Sequence, residues 1–286
     1  DLALLESGAI PVWDGISNPL KLSAISASKF DESGINHIYF SVIEAAAVFV
    51  SWFQWKKDRS KIWLILGGIH LLGLHWLLAR TGLLAFYFSC GLLFLYEWSR
   101  KPNNKTLSWA LFIAILLPLV SYFSFAAVRN KVKNSIEDLQ AIQGERSINH
   151  RSLAMRVEAW KTAVDILQKH PMGVGLGDVD SEMQRQYEEN ETLLWKENRI
   201  PPHNQYLESG VASGILSSLL LLTLLIGGIV YFWKKALPLE MTCYATILLS
   251  LSFESLLQTQ LGICLFPFIL LMIQSDSKGE SLNSST

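Results

Sequence analysis

Three residues carry charge or titrate where packing alone gives little reason for it. Arg80 lies in "LLARTGLLAF", with almost no polar sequence around it. A guanidinium next to so much apolar sequence is costly unless it sits at an interface or has a partner, so it is either a snorkelling anchor for a helix end or a functional group. His203 follows Pro201 and Pro202 in "PPHNQYLESG", and the prolines predict a helix that starts at or near the ring. The free N–H groups and positive end of such a helix favour a neutral imidazole able to accept a proton; the alternative is a solvated loop histidine. Arg156, in "RVEAW", belongs to a stretch where Leu153, Val157, Trp160, Val164 and Leu167 recur at helical spacing. At about 100° per residue Arg156 borders that stripe and can lean toward whatever the stripe packs on, whereas Arg151 points to the opposite face.

Other titratable groups offer less. Glu44 and Glu254 fall inside apolar runs, where a carboxylate is either functional or a buried hydrogen-bonding group. His70 and His75 are five residues apart, about 140° on a helix, so a shared metal is not expected. No HExxH, CxxC or carboxylate pair at ligand spacing occurs, and no protein-held metal is expected. "GVGLG", Gly173 to Gly177, has the glycines of a dinucleotide loop but no strand before it, and reads as a turn.

These residues must be positioned by a membrane framework. Half of the 286 residues are hydrophobic, the mean hydropathy is positive, and the charges collect between long apolar runs. That pattern predicts a polytopic, all-α membrane protein, since a span needs about 20 mainly apolar residues. The candidates are 35–53, 62–79, 82–98, 107–128, 211–233 and 241–257, with 261–273 a possible seventh. Cys90, Cys243 and Cys264 all fall in apolar runs and give neither a disulfide framework nor a zinc spacing. The net charge of −1 and the lack of a basic stripe with interleaved aromatics exclude nucleic acid as the expected partner; the lipid bilayer is the partner that composition identifies. The chain opens on Asp1 without a basic, then apolar, then small-residue leader, and reads as a fragment or processed form lacking upstream sequence.

Short loops rich in Lys and Arg stay cytoplasmic. Lys56, Lys57, Arg59 and Lys61, then Arg100, Lys101 and Lys105, then Lys234 and Lys235 all fall on one side of these spans. The opposite, extracytoplasmic side receives the stretch before residue 35, the 79–82 corner, the region of 258–260 and the long segment 129–210. About 80 residues between two spans is too long for a structureless connection, so helices and a function are expected there.

The order of these features resembles a known family. The Arg-Thr-Gly-Leu-Leu corner, the long loop with "RVEAW" and "HPMGVGLGDV", then "PHNQYLESGVASGILSSLL" and "ESLLQTQLGICLF" together are similar to the O-antigen ligase and Wzy polymerase superfamily, over roughly residue 62 to the end. The resemblance implies a GT-C-like bundle of transmembrane helices with a large helical periplasmic loop in the bacterial inner membrane. Together with the spans and the basic short loops, this gives five stretches: an extracytoplasmic segment 1–34, transmembrane helices over 35–128, a periplasmic loop 129–210 that the resemblance makes catalytic, closing helices over 211–274 and a cytoplasmic tail 275–286. It further implies a metal-independent, inverting glycosyltransferase that takes its glycan from an undecaprenyl-diphosphate-linked donor, with no cofactor. Arg80 and Arg156 fall on the family's essential arginines and His203 on its histidine. The arginines would bind the diphosphate, His203 would deprotonate the acceptor hydroxyl, and Asn204 and Glu208 would orient the ring or bind substrate. The serine that usually precedes the first arginine is Ala79 here. Ligation to lipid A core is the first expectation and repeat-unit polymerisation onto a glycan acceptor the second. A lipid-linked glycan transporter would be expected to show repeated halves, and none is visible; a structural assembly subunit is a further alternative.

Overall fold

The computed structural model describes residues 37–101, 116, 118–123, 126–144, 147–259 and 262–264. The segment 1–34, most of the 107–128 span, all of the 261–273 run but 262–264 and the tail 275–286 lie outside the described residues. Every regular element among those described is helical.

α1 (His37–Asp58), α2 (Lys61–Leu77) and α3 (Arg80–Arg100) form one packed group, joined through Ala45, Phe49, Leu74 and Phe86. α4 (Ala126–Ile142) leads to α5 (Ser152–Lys169), α6 (Val179–Glu189) and α7 (Gln205–Ser213). α8 (Ile215–Lys235) and α9 (Pro238–Leu251) close the bundle, with α9 packed on α3, α1 and α8. Ser89 and Thr246 share a buried 2.9 Å hydrogen bond between α3 and α9. α1, α3 and α8 are long and apolar enough to cross a membrane, and α2 and α9 are shorter apolar helices. The 21 residues of α3 rise about 31 Å, close to the hydrocarbon thickness of a bilayer.

The basic helix ends share one rim. Lys56 at the end of α1 pairs with Glu97 near the end of α3 at 3.2 Å. Arg100 at the end of α3 donates to the Trp233 carbonyl near the end of α8 at 3.2 Å, beside Lys234 and Lys235. Arg80 begins the same helix that Arg100 ends, so it marks the opposite rim.

Two sequence expectations change. A single helix from the histidine through the 211–233 span is replaced by α7 and α8, divided at Gly214. Gly214 has φ +92, and a Cβ there would lie 2.9 Å from the Pro171 oxygen; Gly173 has φ +83 and would meet Gly214 in the same way. This close approach lets Val174 and Gly175 donate their N–H groups to the Val211 and Ala212 carbonyls at 2.8 and 2.9 Å, satisfying the open end of α7. The "GVGLG" stretch is thus a turn, and its use is to dock α7. Similarly, the 241–257 span is helical only as far as Leu251, and Ser252–Ser255 leave the helix as an irregular corner.

The buried face of α5 also differs from the expected stripe. Ala159, Thr162, Ala163 and Ile166 are buried against α6 and α7, with Met183, Tyr187 and Val211, while Val164 is 40% exposed. Ala159, Thr162 and Ala163 are short side chains that let α6 and α7 both approach α5 here, and Ile166 fills the contact with Met183 and Tyr187. The large stripe residues flank the contact instead.

Candidate functional site

Arg156 rises from the second turn of α5, on the flank between the small buried face and the large apolar stripe. Its Nη1 donates to the Phe253 carbonyl at 2.7 Å and its Nη2 to Glu254 Oε1 at 2.5 Å. Glu254 is 3% exposed and sits in the irregular corner after α9. The other oxygen of the same carboxylate lies 3.6 Å from His203 Nδ1. One buried carboxylate therefore engages both the arginine and the histidine singled out by sequence. At 3.6 Å the histidine contact is longer than a hydrogen bond, and it becomes an ion pair only when the ring carries a proton.

The loop that presents His203 is held from two sides. Trp160 Nε1 of α5 donates to the Pro202 carbonyl at 2.8 Å, and the Tyr187 hydroxyl of α6 donates to the Ile200 carbonyl at 2.9 Å. Burial pushes the Tyr187 hydroxyl far above the usual tyrosine range, so it remains a donor. His203 itself has φ +44, a left-handed backbone that a non-glycine residue adopts only where its surroundings enforce it. The histidine side chain keeps 37% of its surface exposed.

Asn204 is the N-cap of α7. Its Oδ1 accepts from the Tyr206 and Leu207 N–H groups at 3.0 and 3.2 Å, so that oxygen is occupied and the helix end is closed by its own cap. The expected influence of an open helix terminus on the ring is thereby replaced by that of the Glu254 carboxylate. Glu208, 4% exposed, accepts from the Ser255 hydroxyl, and Gln205 Oε1 accepts from the Leu257 N–H at 2.8 Å. Both contacts fasten α7 to the corner that carries Glu254.

Arg80 stands at the first position of α3, where the positive end of the helix dipole disfavours a cation. Its Nη1 lies 3.5 Å from Asp138 Oδ2 of α4, and 36% of its side chain is exposed. Asp138, 4% exposed, also accepts from the Leu153 N–H in the first turn of α5 at 3.1 Å. Arg80 thus joins the other two residues through Asp138 and the start of α5. Burial, and then the Arg80 guanidinium, hold the Lys131 ammonium of α4 below the usual lysine range. Arg151 is the extended N-cap that precedes α5 rather than a residue of the helix, and it turns away from the Glu254 corner to pair with Glu137 at 3.3 Å and, at 3.9 Å, with Asp138.

The remaining candidates separate. His70 Nδ1 meets Glu44 Oε2 at 2.7 Å, whereas His75 bonds the Leu71 carbonyl and the Tyr87 hydroxyl, each at 2.8 Å. Among the described residues no group of three or more His, Cys, Asp or Glu could hold a metal ion. Sequence reasoning did not single out Asp138 or Ser255. Asp138 lies among other polar residues of α4, where nothing marks it as buried; Ser255 had only its place beside Glu254. Glu254 itself was visible as a carboxylate in an apolar run.

The arrangement comprises a half-exposed imidazole backed by a carboxylate, a fixed guanidinium on that carboxylate, and a second, freer guanidinium at the same rim. Such a set can take a proton and stabilise an anion. No curated protein and no solved structure matches the chain. A family model described as O-Antigen ligase matches residues 62–222, more than half of the chain. That stretch runs from the start of α2 into α8 and contains Arg80, Arg156 and His203 in order, and on this match the chain belongs to the O-Antigen ligase family.

Proposed function

We propose that this protein is an inner-membrane glycosyltransferase of GT-C-like architecture that moves a glycan from an undecaprenyl-diphosphate-linked donor to the hydroxyl of lipid A core at the periplasmic face. The observation that carries the reading is the shared Glu254 carboxylate, which draws Arg156 and His203 together at the rim opposite the basic helix ends. Family membership supports it, and the basic rim supports a cytoplasmic side away from the site.

In this mechanism Glu254 favours a proton on His203 Nδ1, leaving Nε2 as the base. Nε2 takes the proton of the acceptor hydroxyl as its oxygen attacks the anomeric carbon from the face opposite the diphosphate. The anomeric carbon–oxygen bond to the diphosphate breaks, its electron pair stays on that oxygen, and undecaprenyl diphosphate leaves with inversion at carbon. Glu254 offsets the positive charge that develops on the ring, as a carboxylate does for a catalytic imidazole. Arg80, with one long contact to release, meets the diphosphate most readily. Arg156 has both terminal nitrogens engaged, so it serves the leaving group by exchanging at least one of those bonds. No metal or nucleotide enters the scheme. Asn204 and Glu208 position α7, and Glu208 is too buried to meet an acceptor.

The test is reconstitution of the purified full chain in lipid with an undecaprenyl-diphosphate-linked glycan and lipid A core. Glycosylated core with equimolar undecaprenyl diphosphate is the expected product. Elongation of the lipid-linked glycan with no modified core would move the assignment to the polymerase reading, which uses the same residues and differs in acceptor. Donor movement across the bilayer without bond cleavage would replace both with a transporter.

A further inference from the structure

The inner face of α4 meets the site through Asp138, but its outer face is open and is built of two kinds of group. Val132, Ile136 and Leu139 are 40%, 52% and 51% exposed and follow one another at helical spacing. Beside them a groove of about 520 Å³ is lined by Tyr122, Arg129, Val132, Lys133 and Ile136, with Asn130, Glu137 and Gln140 completing it. Arg129 is braced at the groove by bonds from Nη1 to the Tyr122 and Phe123 carbonyls at 3.3 and 2.9 Å. The carboxylate in the groove, Glu137, is already paired with Arg151, so the charge that faces outward is cationic. An exposed apolar stripe beside two cations, on a helix at the rim of a membrane bundle, complements an anion that carries hydrocarbon chains.

We propose that the outer face of α4 binds an anionic phospholipid of the bilayer, with its phosphate on Arg129 and Lys133 and its acyl chains along Val132, Ile136 and Leu139. Binding fixes the depth and rotation of α4. Asp138 on the opposite face of that helix holds Arg80 and the Leu153 N–H, so the lipid steadies the link between α3 and α5. This assignment rests on charge and apolar surface, and it stands whichever acceptor the enzyme uses.

The experiment places a photoreactive p-benzoylphenylalanine at Ile136 in the full chain, reconstituted in nanodiscs of phosphatidylcholine with a minority of phosphatidylglycerol, and reads lipid adducts by mass spectrometry. Two surface cations contribute about fivefold each at low ionic strength, so the ratio of phosphatidylglycerol to phosphatidylcholine adducts should exceed the ratio of the two lipids in the bilayer by about 25-fold. The enrichment should fall at high salt. R129Q/K133Q should abolish it, and R129K/K133R should retain most of it with the fold unchanged. Equal adducts from both lipids, or enrichment that survives R129Q/K133Q, would overturn the proposal. So would displacement of phosphatidylglycerol by equimolar diphosphoryl lipid A, which would make the groove an acceptor site. Loss of glycan transfer with the lipid preference intact would instead count against the reaction proposed above.

Discussion

Glu254→Gln tests whether one carboxylate couples the arginine to the histidine. Glutamine keeps the size of the side chain and an oxygen for Arg156, but removes the charge from a position 3% exposed. A charge-assisted hydrogen bond contributes about 1.5–3 kcal/mol, and breaking a buried pair outright costs about 3–5 kcal/mol. With a neutral acceptor retained, a loss of about 2–3 kcal/mol in stability is expected. The effect on the chemical step comes from the 3.6 Å contact to His203. Two charges at that distance interact by roughly 4–5 kcal/mol at an effective dielectric of about 20. The ring is 37% exposed, so solvent screening leaves about 1–2 kcal/mol, a slowing of about 5- to 30-fold. The assay is single-turnover transfer by purified protein in lipid, with denaturant unfolding measured in parallel. In a His203→Ala background the part of this effect that acts through the ring is gone, so the same substitution should add less to the barrier than it does in the parent, the remainder acting through Arg156. A variant that loses stability yet turns over within twofold of the parent would show Glu254 to be a structural tie alone. Full additivity with His203→Ala would refute the coupling as well.

His203→Ala should slow transfer by about 10²- to 10⁴-fold while donor binding stays nearly intact, whereas Arg80→Ala should weaken both donor binding and turnover; poor donor binding by His203→Ala with normal turnover of what binds would make the histidine a donor ligand. Arg156→Lys should impair transfer by at least about tenfold, since a single ammonium cannot span the Phe253 carbonyl and Glu254 as the planar fork does, while Arg151→Ala, which loses contacts to Glu137, Asp138 and the Ser147 carbonyl but none to the Glu254 corner, should be milder; equal losses at the two positions would refute the special place of Arg156. A cysteine at Ser135 on α4, in a background lacking Cys90, Cys243 and Cys264, should react with an impermeant thiol reagent in intact spheroplasts, and reaction only after lysis would overturn the assigned orientation.

The sequence by itself determined what depends on local composition and period. Long apolar runs demand helices because lipid offers the backbone no partner, and the lysines and arginines at their ends identified one rim. The helical period of α5 put Arg156 at the edge of the apolar stripe, because residues within one helix have fixed angular spacing; Arg151 escaped that argument, since it is the extended residue before the helix. Tertiary structure decided what no local pattern encodes. Asn204 rather than the histidine caps α7, since the cap goes to the residue whose side-chain oxygen reaches the first N–H groups. The break at Gly214 exists because the turn around Gly173 approaches closely enough to take over the carbonyls of α7. Glu254 was visible only as a carboxylate in an apolar run, and its meaning came from two residues distant in sequence that the packing of α5, α7 and α9 brings onto it. Asp138 carried no signal at all, because burial of a polar side chain on an amphipathic helix is set by what lies across from it, here Arg80 and the open end of α5.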